Sequence, residues 1–336
     1  MPLLSRRDFI KRTLAAGVAS GLVLFGLEKT AGGAAITPRG TFYDLTKCDG
    51  CKGLKVPRCV SACREENSFK FPKPAEHIEY YWPHKKKEDW RDKKDLTARL
   101  TPYNWTFVQH VQVKQDGRAV DVFIPRRCMH CDNPPCANLC PFGAQGKTSE
   151  GPVIINPNLC LGGAKCRDVC PWGIPARQAG VGLYMKLAPR YVGGGVMYKC
   201  DLCYHRVKEG KIPACVEACP RGAIAFGDKE EMREQAWKRA REIGGYIYGD
   251  KENGGTSTFY VSPVSFAKIH EQLMMQKNRQ PNPEAPGFPA MPEGVGNFLD
   301  SVNGIAGALL AAPLAGAFAA GYAAYRTIKG GEDHGG

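Results

Sequence analysis

Two features that would place this chain in common classes of protein are missing. The chain has no glycine-rich loop of the kind that cradles a phosphate. Its formal net charge of +13 is not gathered into a compact basic stripe interleaved with aromatic residues. The sequence therefore argues against an enzyme with its own phosphate site and against a nucleic-acid partner.

The number of cysteines is odd, which a set of paired disulfides does not explain. Fifteen cysteines cannot all pair, and their tight local spacing differs from the irregular spacing of a disulfide framework. Metal ligation by thiolates accounts for both observations. The excess of Lys and Arg then has a plain role, because metal clusters with thiolate ligands are net anionic and cations offset them.

The cysteines form four groups that repeat one pattern. Each group closes with C-x-x-x-C, and three of the four closing cysteines precede proline. Three groups open with C-x-x-C, whereas Gly163 takes the place of the second cysteine in the remaining group. The groups are Cys48, Cys51, Cys59 and Cys63; Cys128, Cys131, Cys136 and Cys140; Cys160, Cys166 and Cys170; and Cys200, Cys203, Cys215 and Cys219.

This repeat predicts iron–sulfur clusters that exchange ligands between groups. In the bacterial ferredoxin run, the cysteine before proline binds the other cluster of a pair. Applied to nested pairs of groups, this exchange uses every cysteine. The predicted sets are cluster A, Cys48, Cys51, Cys59 and Cys219; cluster B, Cys200, Cys203, Cys215 and Cys63; cluster C, Cys128, Cys131, Cys136 and Cys170; and cluster D, Cys160, Cys166 and Cys140.

Two other uses of these cysteines fit less well. Structural zinc would explain any two C-x-x-C pairs, but not the C-x-x-x-C-P closures or the fifteenth cysteine. A disulfide-stapled exported protein would not repeat ferredoxin spacing four times. With the cluster positions filled by cysteine, we interpret His110, His130 and His205 as surface or packing residues.

The N-terminal residues 1–35 have the layout of a twin-arginine export signal. The stretch SRRDFIK precedes an apolar run, TLAAGVASGLVLFGL, and a small-residue zone, AGGAA. This route exports folded proteins, which suits clusters inserted in the cytoplasm. An ordinary signal and an uncleaved anchor are the alternatives.

Near the C-terminus, residues 304–325 form an uncharged run that predicts a transmembrane helix. Its 22 residues would span about 33 Å as a helix. We predict the helix at 298–326 and a tail at 327–336, which Arg326 and Lys329 place in the cytoplasm. Small residues four apart suggest packing against a membrane partner. The alternative is a buried helix of a soluble domain.

Three other segments carry local expectations. The alternating FVQHVQV and AVDVFIP stretches flank Asp-Gly and predict a β-hairpin. Asp228 with Glu231 predicts the start of a helix that runs to about Ile243. We predict a solvated insertion for HKKKEDWRDKK, which otherwise would dock an acidic cytochrome, and a stiff linker outside the packed domain for the proline-rich RQPNPEAPGFPAMPEG.

The runs FVQHVQVKQDGRAVDVFIPRRCMHCDNPPCANLCP and KCDLCYHRVKEGKIPACVEACPRGAIAFGD resemble four-cluster, ferredoxin-like electron-transfer subunits. With the signal and membrane helix, the chain is similar to subunits of membrane-bound periplasmic nickel-iron hydrogenases and high-molecular-weight cytochrome complexes. The resemblance implies an α+β fold of two tandem bacterial-ferredoxin-like units at 36–245, followed by an extension and linker at 246–297. The main domain would lie on the periplasmic face of the cytoplasmic membrane.

The resemblance also implies partners and a function. The chain would relay electrons between a periplasmic hydrogenase, molybdoenzyme or multihaem cytochrome c and a quinone-interacting membrane subunit of polysulfide-reductase type. It would not be an enzyme on its own. A self-contained iron–sulfur enzyme and a metal-stabilised binding module without redox function are the alternatives.

The chain departs from the family pattern most consequentially at Gly163, which offers no ligand. In the resembling nitrate reductase subunit the matching position is also non-cysteine, its cluster is 3Fe-4S, and that cluster is nearest the membrane subunit. We therefore expect three 4Fe-4S clusters and a 3Fe-4S cluster D. A 4Fe-4S cluster bound by water or Asp168, and loss of the cluster, are the alternatives.

Overall fold

The computed structural model describes residues 37–78, 88–115, 117–187, 194–282 and 285–307, with Ala317 and Gly321. The predicted export signal and most of the predicted membrane segment lie outside these residues. Within the described part, no helix has the length and apolar character needed to cross a membrane.

Short strands and helices alternate along the described residues. The strands are β1 Arg39–Asp44, β2 Phe107–Gln115, β3 Arg118–Arg126, β4 Gln145–Lys147, β5 Val153–Ile155, β6 Ala176–Gln178, β7 Val196–Tyr198, β8 Ile224–Asp228, β9 Tyr246–Tyr248 and β10 Thr258–Ser262. The α-helices are α1 Arg58–Glu66, α2 Pro135–Asn138, α3 Lys165–Asp168, α4 Leu183–Leu187, α5 Tyr204–Val207, α6 Ala214–Glu217, α7 Lys229–Glu242 and α8 Phe266–Asn278. This mixture agrees with the predicted α+β class.

A four-stranded sheet joins distant parts of the chain. Its strand order is β8-β1-β10-β9, with β1 parallel to β10 and the other pairs antiparallel. Phe42 and Phe259 face α7 on one side of the sheet. Tyr43 and Tyr260 point to the other side, where their rings stack at 4.8 Å within the main core. Alternation along the strands thus divides the apolar side chains between two layers.

The β2–β3 hairpin is confirmed. Its strands pair antiparallel from Phe107 opposite Arg126 to Gln115 opposite Arg118. Val111 and Val113 are buried on the face that meets the core, whereas His110 and Gln112 point outward. The alternation in the sequence therefore identified both the strands and their buried face.

The helix that we predicted from Asp228 is also confirmed, as α7. Asp228 Oδ1 accepts a hydrogen bond of 2.9 Å from the Glu230 N–H, which satisfies a free amide of the first turn. The helix ends at Glu242, and Ile243 follows as its C-cap. Met232, Ala236 and Ala240 form its buried stripe.

Two small two-stranded sheets lie within the segment that holds the second and third cysteine groups. β4 pairs with β5, and β6 pairs with β7, both antiparallel. Val153 and Val196 are almost fully buried in these sheets. The β4–β5 sheet lies between Cys140 and Cys160 in the sequence, and the β6–β7 sheet lies between Cys170 and Cys200.

The prediction of a proline-rich linker outside the packed domain was wrong. Met291 is fully buried, and Phe288 packs against the main core. The carbonyl of Ala290 accepts a 2.9 Å hydrogen bond from Arg126, and that of Pro292 accepts one of 3.0 Å from Tyr248 Oη. Prolines keep the segment extended, but its carbonyls and apolar side chains remain free to pack. The preceding residues also belong to the domain, because β9 and β10 complete the main sheet.

The prediction of a solvated insertion at HKKKEDWRDKK holds for the exposed residues 92–94 but was wrong for residues 88–91. Trp90 is buried, and Glu88 forms ion pairs with Arg167 at 2.7 Å and with Arg177 at 3.0 Å. The run of charged residues gave no sign that the Glu88 carboxylate pairs with two arginines that are distant in the sequence.

Asp44 provides a test of how the sheet is joined to α7. Its buried carboxylate accepts hydrogen bonds from the Thr46 N–H at 3.0 Å, from Thr46 Oγ1 and from Arg239 Nε at 2.9 Å. Asp44→Ala leaves these donors without their acceptor, so we expect a loss of about 2 kcal/mol in stability, seen as a lower thermal unfolding midpoint.

Asp95→Ala is the matched control for Asp44→Ala. Asp95 is fully exposed and reaches Arg64 only at 4.0 Å, so its removal should leave the midpoint unchanged. Equal midpoints for the two variants would contradict a structural role for Asp44.

Candidate metal centre

The four cysteine groups share one backbone turn. The residue just before the second position of each C-x-x-C loop has a positive φ: 66° at Gly50, 51° at His130, 72° at Gly162 and 60° at Leu202. A left-handed residue there curls the loop back on itself. The group that contains Gly163 therefore keeps the turn although it lacks the cysteine.

In every group the cysteine that opens the C-x-x-x-C closure lies in the first turn of a helix. Cys59, Cys136, Cys166 and Cys215 each occupy the second residue of α1, α2, α3 and α6. Proline precedes the helix in three of the four groups, where it fixes φ and has no N–H to leave unpaired. The closing cysteine follows one helical turn later. The same local fold thus presents thiols at the same relative positions four times.

The structure brings together the thiols predicted for cluster A. Cys48, Cys51, Cys59 and Cys219 line one small cavity, with apolar residues between the loops. Cys219 comes from the last group and joins three thiols of the first. Its sulfur accepts a 3.3 Å hydrogen bond from the Ala223 N–H.

The thiols predicted for cluster B also meet. The amide of Asn67 lies 3.8 Å from Cys63 Sγ and 3.7 Å from Cys203 Sγ, so a single side chain touches the closing cysteine of the first group and the second cysteine of the last. Cys63 also interacts electrostatically with Cys200 and Cys215. Thiols of the first and last groups therefore lie together, as the predicted exchange would require.

The inner groups exchange cysteines in the same manner. Cys131 has Cys128, Cys170 and Cys136 as its electrostatic neighbours. Cys166 has Cys160 and Cys140 beside it, together with Cys136 of the adjacent set. These are the thiols that the sequence predicts for clusters C and D.

Electrostatic interactions between thiols of different sets order the sets in a line. Cys59 of set A interacts with Cys215 of set B, and Cys200 of set B interacts with Cys128 of set C. Cys136 of set C neighbours Cys166 of set D. The order is therefore A, B, C, D, which we call the cluster series.

The environment of the thiols fits a metal cluster. Burial raises the pKa of Cys48 and Cys200 to about 11 and that of Cys136 and Cys215 to about 12. Such thiols are neutral at physiological pH unless a cation displaces their protons, which iron bound to sulfur does. N–H groups point at several of the sulfurs, as they do around cluster ligands.

The fifteen cysteines can be described by the pairings that they make. All fifteen cysteines lie in the described residues, and none forms a disulfide. In the same residues, no three Cys, His, Asp or Glu side chains converge closely enough to hold a single metal ion. The thiolates of an iron–sulfur cluster bind separate irons and therefore stand farther apart than the ligands of one zinc.

Gly163 is exposed, and a Cβ built on it would meet no heavy atom within 4 Å. Its φ lies outside the left-handed region, so the backbone would accept a side chain. Asp168, the alternative ligand, is exposed at the end of α3. The structure thus keeps open space at the position of the missing ligand.

Set D lies next to the start of the C-terminal segment. Lys165, beside Cys166, places its ammonium over the Phe298 ring at 5.9 Å. The Asn297 amide donates to the Asn133 carbonyl at 2.8 Å. Gly307 packs closely against Leu139, since a Cβ built on it would lie only 3.1 Å from Leu139 Cδ2. Set D therefore lies beside residues 297–307, the described start of the C-terminal segment.

The histidines have different environments. His110 pairs with Asp121 at the surface, at 2.8 Å, and His205 pairs with Glu66 at the same distance. His130 is fully buried, and its Nε2 lies 3.8 Å from Cys200 Sγ.

Sequence reasoning missed the buried cations near set B, Arg127 and Lys199, each of which adjoins a cysteine in sequence. Their position next to Cys128 and Cys200 in the sequence was the one indication that these cations lie near the thiols.

Comparisons with known proteins agree with this geometry. Two family profiles, each described as a 4Fe-4S dicluster domain, match residues 47–144 and 119–229. A formate dehydrogenase iron-sulfur subunit of Haemophilus influenzae is 30% identical over 73% of this chain and 74% of its own length.

Two enterobacterial proteins are also similar. The probable anaerobic dimethyl sulfoxide reductase chain YnfG of Escherichia coli K12 is 32% identical, over 59% of this chain and 78% of its own length. The hydrogenase-2 operon protein HybA of Escherichia coli O157:H7 is 28% identical, over 79% of this chain and 83% of its own length.

The crossed ligand sets can be tested by single substitutions. Cys219→Ser removes a thiol from the cavity of Cys48, so the spectroscopic signal of cluster A should change while that of cluster B remains. Cys63→Ser should have the opposite effect, because Cys63 lies beside Cys203. Redox titration followed by electron paramagnetic resonance measures both.

The two variants control for each other, since both remove one closing cysteine of an outer group. Loss of the same signal in both, or of the cluster nearest in sequence, would contradict the exchange.

Proposed function

Because this chain belongs to the family of 4Fe-4S dicluster iron–sulfur proteins, we propose that it conducts electrons through clusters A to D between a redox enzyme and a membrane subunit. It is a non-catalytic electron-transfer subunit of a respiratory oxidoreductase complex. The observation that carries the proposal is the linear order of the four thiol sets. Substrate chemistry takes place in a partner.

The two ends of the cluster series suit two different partners. Set A lies in a cavity with Cys48, Cys51 and Cys219 partly exposed, which suits contact with a soluble redox partner. Set D adjoins the C-terminal segment. The relatives belong to hydrogenase, dimethyl sulfoxide reductase and formate dehydrogenase systems by name, so a periplasmic catalytic subunit or a multihaem cytochrome c is the partner proposed for set A.

For set D we assign a quinone-interacting membrane subunit of polysulfide-reductase type. Val302 and Ile305 are exposed at the start of the C-terminal segment, and Leu187 is exposed at the end of α4. Tyr184 of α4 contacts Phe142, which follows Cys140 closely in sequence. These apolar side chains around set D support docking against a membrane protein.

The proposed location follows from the predicted termini. A twin-arginine signal would export the folded domain, and a membrane helix at 298–326 would hold it on the periplasmic face. The position of Lys165 and Phe298 beside set D supports this arrangement, because the clusters would then end at the membrane surface.

Iron bound by the four sets would supply one-electron redox chemistry. The thiolates of this chain would hold it, while buried side chains exclude water and hydrogen bonds orient the sulfurs. Sets A to C, with four thiols each, fit 4Fe-4S clusters, and set D, with three, fits 3Fe-4S.

Gly163→Cys tests the content of cluster D. The wild-type protein should carry about 15 irons per chain and show the paramagnetic signal of an oxidised 3Fe-4S cluster. A cysteine at 163 fits the open space, so the variant should carry about 16 irons and lose that signal.

Gly296→Cys is a control for a new thiol alone, because Gly296, like Gly163, is exposed, lies outside the left-handed region and has open space at its Cβ position. It should leave the signal of cluster D unchanged. A wild-type protein with about 16 irons and no 3Fe-4S signal would refute the assignment.

Charge at the apolar surface near set D should prevent membrane docking. Val302→Glu with Ile305→Glu buries two carboxylates at the proposed contact, which is unfavourable. We expect at least tenfold less co-purification with a multi-span membrane subunit after detergent extraction.

Leu54→Glu is the control, since Leu54 is exposed near set A at the other end of the cluster series. Undiminished co-purification of the double variant would place the membrane partner elsewhere. Spectra of the isolated chain should stay the same in both variants.

A further inference from the structure

The sulfur of Cys200 receives hydrogen bonds from three directions. The Leu202 N–H lies 3.3 Å from Cys200 Sγ, and both Arg127 Nη1 and His130 Nε2 lie 3.8 Å from it. A backbone amide, a guanidinium and an imidazole thus converge on one predicted ligand of cluster B.

Arg127 is buried without a carboxylate partner. It is 1% exposed, and its described hydrogen bonds go to Tyr43 Oη at 2.5 Å, to Thr41 Oγ1, to the Cys128 carbonyl at 3.1 Å and to Cys200 Sγ. A buried positive charge is costly unless an anion compensates it. The anionic cluster that Cys200 would hold is the compensating group that this site provides.

The hydrogen bonds to His130 determine which ring nitrogen carries its proton. The Val153 N–H donates to Nδ1 at 3.0 Å, so a neutral His130 bears its proton on Nε2. That nitrogen faces Cys200 Sγ. His130 is therefore a donor to the sulfur and not a ligand that competes with it.

The other thiol sets differ from set B. Cys219 of set A accepts from the Ala223 N–H at 3.3 Å, and Cys160 of set D accepts from the Met197 N–H at 3.4 Å. Among the hydrogen bonds of the described residues, Arg127 is the one charged donor to a predicted ligand sulfur. Set C has buried cations of its own, because Lys199, bonded to the carbonyls of Val153 and Cys200, interacts electrostatically with Cys128 and Cys136 more than with Cys200, and buried Arg126 interacts with Cys170.

We propose that Arg127, assisted by His130, raises the reduction potential of cluster B above that of cluster A. One-electron reduction adds one negative charge to the cluster, and a buried guanidinium beside Cys200 stabilises that charge. No proton moves, because Arg127 remains protonated and His130 remains neutral. The step of an electron from cluster A to cluster B would therefore be energetically favourable.

This inference rests on the proposed function, since it requires a cluster at set B. The test uses the full-length protein with its clusters, titrated against redox potential and followed by electron paramagnetic resonance. The Cys63→Ser variant identifies the signal of cluster B. Wild-type protein without iron–sulfur signals would refute the proposed function, and not this inference alone.

Arg127→Gln should make cluster B harder to reduce. We expect at least a tenfold fall in its equilibrium constant for reduction, which equals 59 mV for one electron. Arg127→Lys should recover part of the shift because it keeps the charge, and His130→Gln should shift the potential less and in the same direction. Arg127→Gln with full iron content and an unchanged cluster B potential would overturn the proposal.

Arg177→Gln is the matched control. Arg177 is equally buried, but its guanidinium pairs with Glu88 and donates to the Gly162 carbonyl, far along the series from set B. Its loss should leave the potential of cluster B unchanged, so an equal shift in both variants would refute a specific effect of Arg127.

If Arg127→Gln fails to retain cluster B, the wild-type protein decides the question. In protein labelled with nitrogen-15 arginine, electron-nuclear double resonance of reduced cluster B should show a coupled arginine nitrogen. Absence of that coupling would overturn the proposal.

Discussion

The exchange of closing cysteines between distant groups is the constraint on which the rest of the structure depends. Cys219 completes the cavity of the first group, and Asn67 bridges Cys63 and Cys203. For these thiols to meet, the two ends of the domain must lie side by side. The parallel pairing of β1 with β10 and the antiparallel pairing of β1 with β8 achieve this. The pairing of β1 with β8 and β10 therefore brings together the same parts of the chain that the thiol sets require to be close.

Electrostatics explains why so many cations are tolerated near the sulfurs. Burial alone opposes ionisation of the thiols, as the raised pKa values of Cys48 and Cys215 show. It also opposes a buried guanidinium such as that of Arg127. Each cost falls when an anionic cluster and a cation lie together, because the opposite charges compensate each other at short distance. The net positive charge of the chain is thus partly a complement to its cofactors.

Local chemistry made part of this structure predictable from sequence. Cysteine spacing predicted the four thiol sets that the structure brings together, and alternation or capping predicted the β2–β3 hairpin and α7. The sheet escaped prediction because β1 and β10 are short and find each other across more than 200 residues. The packing of Met291 and the Glu88 ion pairs escaped it too, since proline content and charge runs say nothing about tertiary partners. The site's second layer, Arg127 and His130, depends on the same long-range contacts.

The distance in sequence between Cys48 and Cys219 has a consequence for biosynthesis. A ribosome adds about 5–20 residues per second, so the first three thiols of set A wait roughly ten seconds or more before their fourth partner is made. The inner sets C and D are complete once residue 170 has emerged, whereas set B needs residue 215, set A needs residue 219, and β1 needs residue 258 to begin pairing with β10. Assembly should therefore proceed from the inner clusters outward. Until residue 219 has emerged, the cysteines made first lack the thiol that completes their set, so they are the last to be protected from oxidation.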